Sequence, residues 1–388
     1  MSITAINIYK IKAGWRSWSY LQISAKDISG WSEFSDSNTC INSTIEAILH
    51  CKDLIIGTDP DLYCDTLNDI RNRYRQNINS LCAKALAALE NALIDLKARC
   101  NNMSALSLIG AQQQRPIDVY WSHFGTTRIR ASKVCNLKPF TKYSDLADLI
   151  DEGVRLGIAT YKSNICIPGE HGWQVYMPGT GKGISQARPI HAEMITAVEG
   201  INNWVAQCKE VAPTSEFAID LNFNLLPSYH RMLTDKAAWY EFDVNTLRAL
   251  DVHTFDARHV RVTGENLLTL DEIAKAFESP SIDIVSIDPC WIGVEKVKYA
   301  NYLSQMYCKP ITIHNFNSHL STAISYSCAH LIENLHMLET DIDDVPWRDR
   351  IVSEIPRYRH GQLIFNTDLG WGCEPIINEL YEFLEHVY

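Results

Sequence analysis

The pattern of apolar and polar positions changes character near residue 115. Before it, residues 3–10 and 19–25 alternate as half-buried strands do. Gly14-Trp15-Arg16-Ser17-Trp18 forms an aromatic-rich loop between them, and Lys26-Asp27-Ile28-Ser29-Gly30 reads as a turn leading to Trp31 and Glu33. Residues 43–55 and 61–79 take helical spacing. The clearest helix is 80–99, where Leu86, Leu89, Leu93 and Leu96 recur at three- and four-residue steps. Strands followed by helices predict an α+β unit.

From Ile117 the chain alternates strand and helix. Strands are expected at 118–123, 157–162, 217–220, 239–242, 259–264, 283–287, 311–314 and 336–339. Helices fall between most of them, such as 144–156, with Ser144 expected as its N-cap, and 191–210. Eight such units predict a (β/α)-barrel closed on itself, with truncated helices after the third and fourth strands. After Glu339 the alternation stops. Gly361, a strand at 362–366, Gly370-Trp371-Gly372 and a terminal helix follow. The expected division is 1–115, 116–341 and 342–388.

Composition narrows the partners. A net charge of −11 argues against a nucleic acid or an anionic membrane surface as partner. The chain has no apolar run long enough to span a bilayer, and its first residues lack the apolar core of a signal peptide. The twelve cysteines are scattered with no CxxC pair, which predicts reduced thiols in a cytoplasmic protein.

The chemistry concentrates in three strand-like runs that each end on a carboxylate: Asp220, Glu241 and Glu265, 21 and 24 residues apart. Acids at the C-terminal ends of successive parallel strands converge, and three hard oxygen ligands describe a site for one Mg²⁺ per chain. Gly179-Thr180-Gly181-Lys182-Gly183 is not a phosphate-binding loop, because Tyr176 and Gly183 stand where Gly and Ser or Thr are required. The stretch 164–189 reads as an insertion after the second strand, either a lid or an inert loop.

Taken in order, several segments resemble the enolase superfamily, in its mandelate racemase subgroup. They are Gly30-Trp31-Ser32-Glu33, Ala88 to Lys97, Asp220-Leu221-Asn222, Trp239-Tyr240-Glu241 and Gly264-Glu265-Asn266. Asp283 to Asp288, His314-Asn315, Glu339, and Gly361-Gln362-Leu363 to Gly370-Trp371-Gly372 complete the set. The resemblance covers nearly the whole chain. It implies a modified (β/α)8 TIM barrel, its eighth helix replaced, under an α+β capping domain built from both chain ends. It also implies proton abstraction next to a carboxylate, with Mg²⁺ stabilising the enediolate and a Lys or His as base.

His314 and Asp288, at the ends of adjacent strands, are expected to form the base and the carboxylate that orients it. Glu339 would hydrogen-bond the substrate carboxylate. On the second strand, Lys162 matches a lysine that contacts that carboxylate, while Asn164 stands where relatives carry a second base. Asn cannot take a proton at neutral pH. A slip of two residues would instead make Lys162 the base. After Glu241 the chain departs again, with Phe242-Asp243 where an acid and a proline are usual. Asn222, Arg16 and His123 are further candidate substrate contacts, Arg16 for a second carboxylate or a hydroxyl. Trp15 and Trp18 read rather as packing on the cap.

The resulting expectation is a Mg²⁺-dependent sugar-acid dehydratase, a carbon–oxygen lyase making a 2-keto-3-deoxy acid. The alternatives are a racemase or epimerase of a 2-hydroxy acid, and a catalytically altered barrel with a binding role. A homo-oligomer is expected, as in similar proteins.

Overall fold

The computed structural model describes residues 1–36, 41–76, 81–111, 114–169, 172–176, 191–222, 225–242 and 258–388. Strands β1 (Ala5–Ala13), β2 (Arg16–Ala25) and β3 (Ile28–Glu33) form an antiparallel meander. β2 is buried along nearly its whole length. The helix Leu81–Cys100 crosses the meander, and Gly30 sets how closely. A Cβ at Gly30 would stand 2.3 Å from Leu96 N and 2.4 Å from Ala92 O, so only a residue without one admits the helix backbone.

The barrel begins with β4 (Ile117–Trp121) and β5 (Thr160–Asn164). A hairpin of β6 (Cys166–Gly169) and β7 (Gly172–Val175) follows outside it. The barrel continues with β8 (Glu216–Asp220), β9 (Tyr240–Glu241), β10 (Arg261–Thr263), β11 (Ile284–Ile287), β12 (Ile311–Ile313) and β13 (Leu335–Thr340). Omitting the hairpin, each strand pairs in parallel with the next, and β13 returns to β4 through Leu338↔Val119 and Thr340↔Trp121. Strands such as β11 are buried on both faces, as expected where helices cover the outside.

All eight expected barrel strands are present. The second begins at Thr160 rather than 157, because Gly157 closes the helix Asp145–Leu156 in the left-handed region (φ +74°). Ser144 does not cap that helix. The Asp145 carboxylate instead accepts from Thr141 N at 2.9 Å and Lys142 N at 3.1 Å. The third strand is followed by the short 3-10 turn Pro227–Met232, as a truncated connection requires. The connection after the fourth, residues 243–257, and Gly179 to Gly183 lie outside the described residues.

The tail does not run straight back to the cap. β14 (Arg357–Arg359) and β15 (Gln362–Ile364) form a hairpin that pairs antiparallel with β4 of the barrel. The expected terminal helix is reduced to Ile377–Leu380, and the chain ends in a strand, β16 (Leu384–Val387), paired with β1 through Tyr9↔Val387. The open edge of β1 offers backbone donors and acceptors that a strand satisfies and a helix does not. Buried Asp95 ties the pieces together: Oδ2 accepts from Trp31 N at 2.8 Å and Oδ1 from Trp371 N at 2.7 Å. Among the described residues no disulfide forms, and no helix is long and apolar enough to cross a membrane.

Glu90, on the same cap helix, faces the helix Val294–Tyr307 and accepts from Glu295 N at 3.0 Å. Burial pushes its carboxyl up to about 7 from the ordinary 4.5. The folded state then binds more protons than the unfolded one between those values. The stability that protonated Glu90 contributes is therefore complete below pH 4.5 and is lost as pH rises through 7, by about 3 kcal/mol at most. Glu90→Gln keeps the acceptor and removes the charge. Its urea midpoint is expected to exceed the parent's clearly at pH 8 and scarcely at pH 5. An equal difference at both pH values would contradict this assignment.

Candidate active site

The C-terminal ends of the barrel strands gather the polar residues that the apolar strands leave room for. Asp220 ends β8 and Glu241 ends β9, directly opposite one another in the ladder. Glu265 lies two residues beyond β10, Asp288 follows β11, His314 follows β12, and Glu339 lies within β13. On β5, Lys162 pairs with Ala218 and Asn164 with Asp220. Both therefore lie inside the strand, on alternate positions of one side.

Lys162 is the hub. Its Nζ is 2.5 Å from Glu241 Oε2 and 3.1 Å from Glu339 Oε1, with all three side chains nearly inaccessible. Burial would favour the neutral amine, but the two carboxylates override it and hold the lysine protonated, its pKa well above the ordinary value. Against burial, Lys162 and His314 pull Glu339 down to about 2. Glu241 goes the other way, up to about 8, because burial and the charges of Asp220, Glu265 and Glu339 outweigh Lys162. Within the trio, then, Lys162 bridges both acids, and Glu241, the nearer, is the one whose charge the surrounding carboxylates disfavour.

His314 donates from Nδ1 to Asp288 Oδ2 at 2.9 Å. The other oxygen of Asp288 accepts from Cys290 N at 2.8 Å, so the carboxylate is anchored by the helix it caps. The His314 Nε2 atom is 3.0 Å from Glu265 Oε2. Burial opposes the charged ring, yet Glu265, Glu339 and Asp288 together raise it to about 10. The Trp291 ring flanks it at 5.0 Å and Phe316 at 5.2 Å.

Five carboxylates thus face two cations, Lys162 and His314, in a buried space. That imbalance, and the hard oxygen donors of Asp220, Glu241 and Glu265, suit a divalent cation. Glu241 Oε1 and Asn164 Oδ1 are buried with no hydrogen-bond partner, which leaves unsatisfied acceptors beside those donors. As the side chains stand, Glu241 turns to Lys162 and Glu265 to His314. Among the described residues no three acidic, histidine or cysteine side chains form a ready cation cage.

The remaining candidates are distributed differently. The Asn164 amide lies 3.4 Å from Asp220 Oδ2. Asn222 adopts φ +45°, and it is its backbone N–H that reaches Asp220 Oδ1, at 2.9 Å. His123 is held to Asp341 at 3.0 Å. Arg16 is buried and committed: it donates to Asp344 at 2.8 Å and to Phe316 O at 2.7 Å. Its charge clamps the cap to the barrel, so it is not free for a substrate carboxylate. Trp18 is buried against Trp347, whereas Trp15 lies parallel to Phe316 at 6.2 Å, close to the site. Arg130, over the opposite end of this cluster on the Trp15 ring at 3.9 Å, was not legible as a site residue. The only signal is the basic pair in Thr126-Thr127-Arg128-Ile129-Arg130, just after a barrel strand end.

Comparison with known proteins agrees with this architecture. Residues 13–110 match the mandelate racemase / muconate lactonizing enzyme N-terminal domain, and residues 225–379 match the enolase C-terminal domain-like family. No curated protein matches the chain. A candidate L-alanine-DL-glutamate epimerase from Burkholderia xenovorans, bound to magnesium and fumarate, superposes with a TM-score of 0.90 at 24% identity, over 98% of this chain and 96% of its own. A candidate galactarate dehydratase from Agrobacterium radiobacter, bound to Na and L-malate, gives 0.77 at 18% identity, over 99% and 95%. A mandelate racemase/muconate lactonizing enzyme-like protein from Rubrobacter xylanophilus gives 0.80 at 18% identity, over 99% and 98%. At these identities the structures speak for the fold, while the two family matches together span well over half of the sequence: the chain belongs to the enolase superfamily, in its mandelate racemase / muconate lactonizing enzyme family.

Proposed function

We propose that the protein is a Mg²⁺-dependent dehydratase of a sugar acid. The observation that carries this reading is the asymmetry of the site. One side holds an oriented imidazole, His314 on Asp288. The other holds Asn164, which cannot accept a proton, and Lys162, which two carboxylates keep charged. A single base suits removal of a proton followed by loss of water better than exchange of hydrogen between two faces.

In the mechanism, Lys162 receives the substrate carboxylate, and the ionised Glu339, an acceptor only, holds that lysine in place; Asn315 N donates to Glu339 Oε2 at 3.1 Å. With Glu265 turned from the ring toward a bound cation, the charge that holds His314 protonated is reduced; Nε2 gives its proton to solvent, and the neutral imidazole then takes the proton from the carbon next to the carboxylate through Nε2. Asp288 holds Nδ1–H and stabilises the imidazolium. His314 then returns the proton to the departing hydroxyl on the next carbon, which leaves as water. The enol tautomerises to a 2-keto-3-deoxy acid. Asp220, Glu241 and Glu265 would hold a Mg²⁺ ion, which would supply positive charge where negative charge develops on the substrate carboxylate. One structural relative is bound to magnesium and fumarate and another to Na and L-malate, which supports a small carboxylic acid as substrate.

The competing reading is an epimerase or racemase, which would use Lys162 as a second base. Exchange of the α-hydrogen with D₂O, without release of a 2-keto acid, would favour it.

Two measurements test the proposal. His314→Asn, which keeps a polar side chain but removes the base, is expected to lower kcat for 2-keto acid formation by roughly 10³-fold. Full activity of this variant on the sugar acid that the parent dehydrates would sink the mechanism. Dialysis against EDTA is expected to abolish turnover and added Mg²⁺ to restore it, while circular dichroism stays native. Undiminished turnover after chelation would rule out the metal's part in it.

A further inference from the structure

Among the described residues four arginines lie at the rim of the site, and three are ion-paired within the protein. Arg16 is paired with Asp344 at 2.8 Å. Arg348 reaches the same carboxylate at 3.2 Å and also donates to Asp341 O at 2.9 Å. Arg128 binds Asp343 at 2.8 Å and Glu152 at 2.5 Å. The fourth, Arg130, differs. It closes the same short helix as Arg128, Thr126–Arg130, just beyond the end of β4. Two residues apart on a helix, Arg128 and Arg130 point away from one another.

Arg130 Nε and Nη2 are buried, and neither has a hydrogen-bond partner. Its guanidinium lies over the Trp15 ring at 3.9 Å, the geometry of a cation held by an aromatic face. Burial pulls its pKa down to about 10, and the nearby Arg16 charge adds to that against Asp341. A desolvated guanidinium with two N–H-bearing nitrogens lacking an acceptor is costly, and its fork of N–H groups matches a carboxylate. The ring that backs it leads inward: Trp15 lies parallel to Phe316 at 6.2 Å, and Phe316 is 5.2 Å from His314. Arg130 therefore lies at the far end of an aromatic row that starts at the base.

We propose that Arg130, backed by Trp15, is the receptor for the second carboxylate of a dicarboxylic substrate. The first carboxylate then lies with Glu339 and Lys162 at the base, and the carbon chain runs along the aromatic row. This deepens the sugar-acid reading and rests on it for the chemistry after binding: the substrate class is the aldarate, with an acid at each end, rather than the aldonate. It also transfers to Arg130 the part that Arg16, spent on Asp344, does not play.

The experiment compares matched pairs that differ in one terminal group. Binding of galactarate and galactonate, and of glucarate and gluconate, is measured by calorimetry with Mg²⁺ present, for the parent, Arg130→Met and Arg130→Lys. The parent is expected to bind one diacid at least about tenfold tighter than its monoacid partner. Arg130→Met is expected to bring that ratio close to one, and Arg130→Lys, which keeps the charge without the fork, to retain part of it. The lysine variant also reads the ratio should the methionine variant fail to fold. Equal weakening of both members of a pair, or no diacid preference in the parent, overturns the proposal. A diacid preference that depends on Arg130 but gives no 2-keto acid would leave the receptor standing and remove the dehydratase. Dehydration of monoacids with no such preference would do the reverse.

Discussion

The arrangement depends on one electrostatic constraint: too many carboxylates at the mouth of one barrel. Parallel strands end in the same plane, so Asp220, Glu241, Glu265, Asp288 and Glu339 are brought together by backbone geometry. Lys162 and His314 offset part of this charge from the inside. Lys162 bridges Glu241 and Glu339 across strands that do not neighbour its own, and His314 bridges Asp288 and Glu265. Removing one partner from such a buried set would strand its neighbours, which makes the set structurally costly and chemically useful together.

The cap is held to this barrel by polar anchors as much as by apolar area. Glu33, at the end of β3, is fully buried and accepts from Ser318 N at 3.2 Å and Ser321 N at 3.0 Å. A cap carboxylate thereby occupies the N-terminus of the helix His319–Ala329, where backbone N–H groups lack partners and the dipole favours negative charge. That helix follows the loop carrying His314 and Phe316. Arg16, also from the cap, donates to Phe316 O. The position of the base is thus tied to the seating of the cap, and the motif Gly30-Trp31-Ser32-Glu33 has one purpose at each end: Gly30 admits the helix Leu81–Cys100, and Glu33 grips the barrel.

Some features escaped the sequence for local reasons. The final residues, Ile377 to Tyr388, have the spacing of a helix, but the open edge of β1 recruits Leu384–Val387 as a strand. Ser144 has the composition of a cap, but the Asp145 carboxylate is better placed to meet the free N–H groups of the loop before it. The role of an arginine is harder still. Arg16 and Arg130 are both basic residues on the rim, and what separates them is whether a carboxylate remote in sequence lies within reach.

By itself the sequence determined the repeating barrel, the strand ends that carry acids, the dyad of His314 and Asp288, and the substitution of Asn164 for a base. The first three come from period, spacing and residue type, which the backbone converts into position with little freedom; the reading of Asn164 comes from the resemblance to the enolase superfamily, whose members often carry a base at that position. The two-residue spacing of Lys162 and Asn164 needs only a strand to put them on one side. The tertiary structure decided which charges neutralise which: Lys162 with Glu241 and Glu339, Arg16 with Asp344, and nothing with the buried Nε and Nη2 of Arg130. Ion pairing between elements is set by distances of a few ångströms between side chains far apart in the chain, and no local pattern encodes those distances.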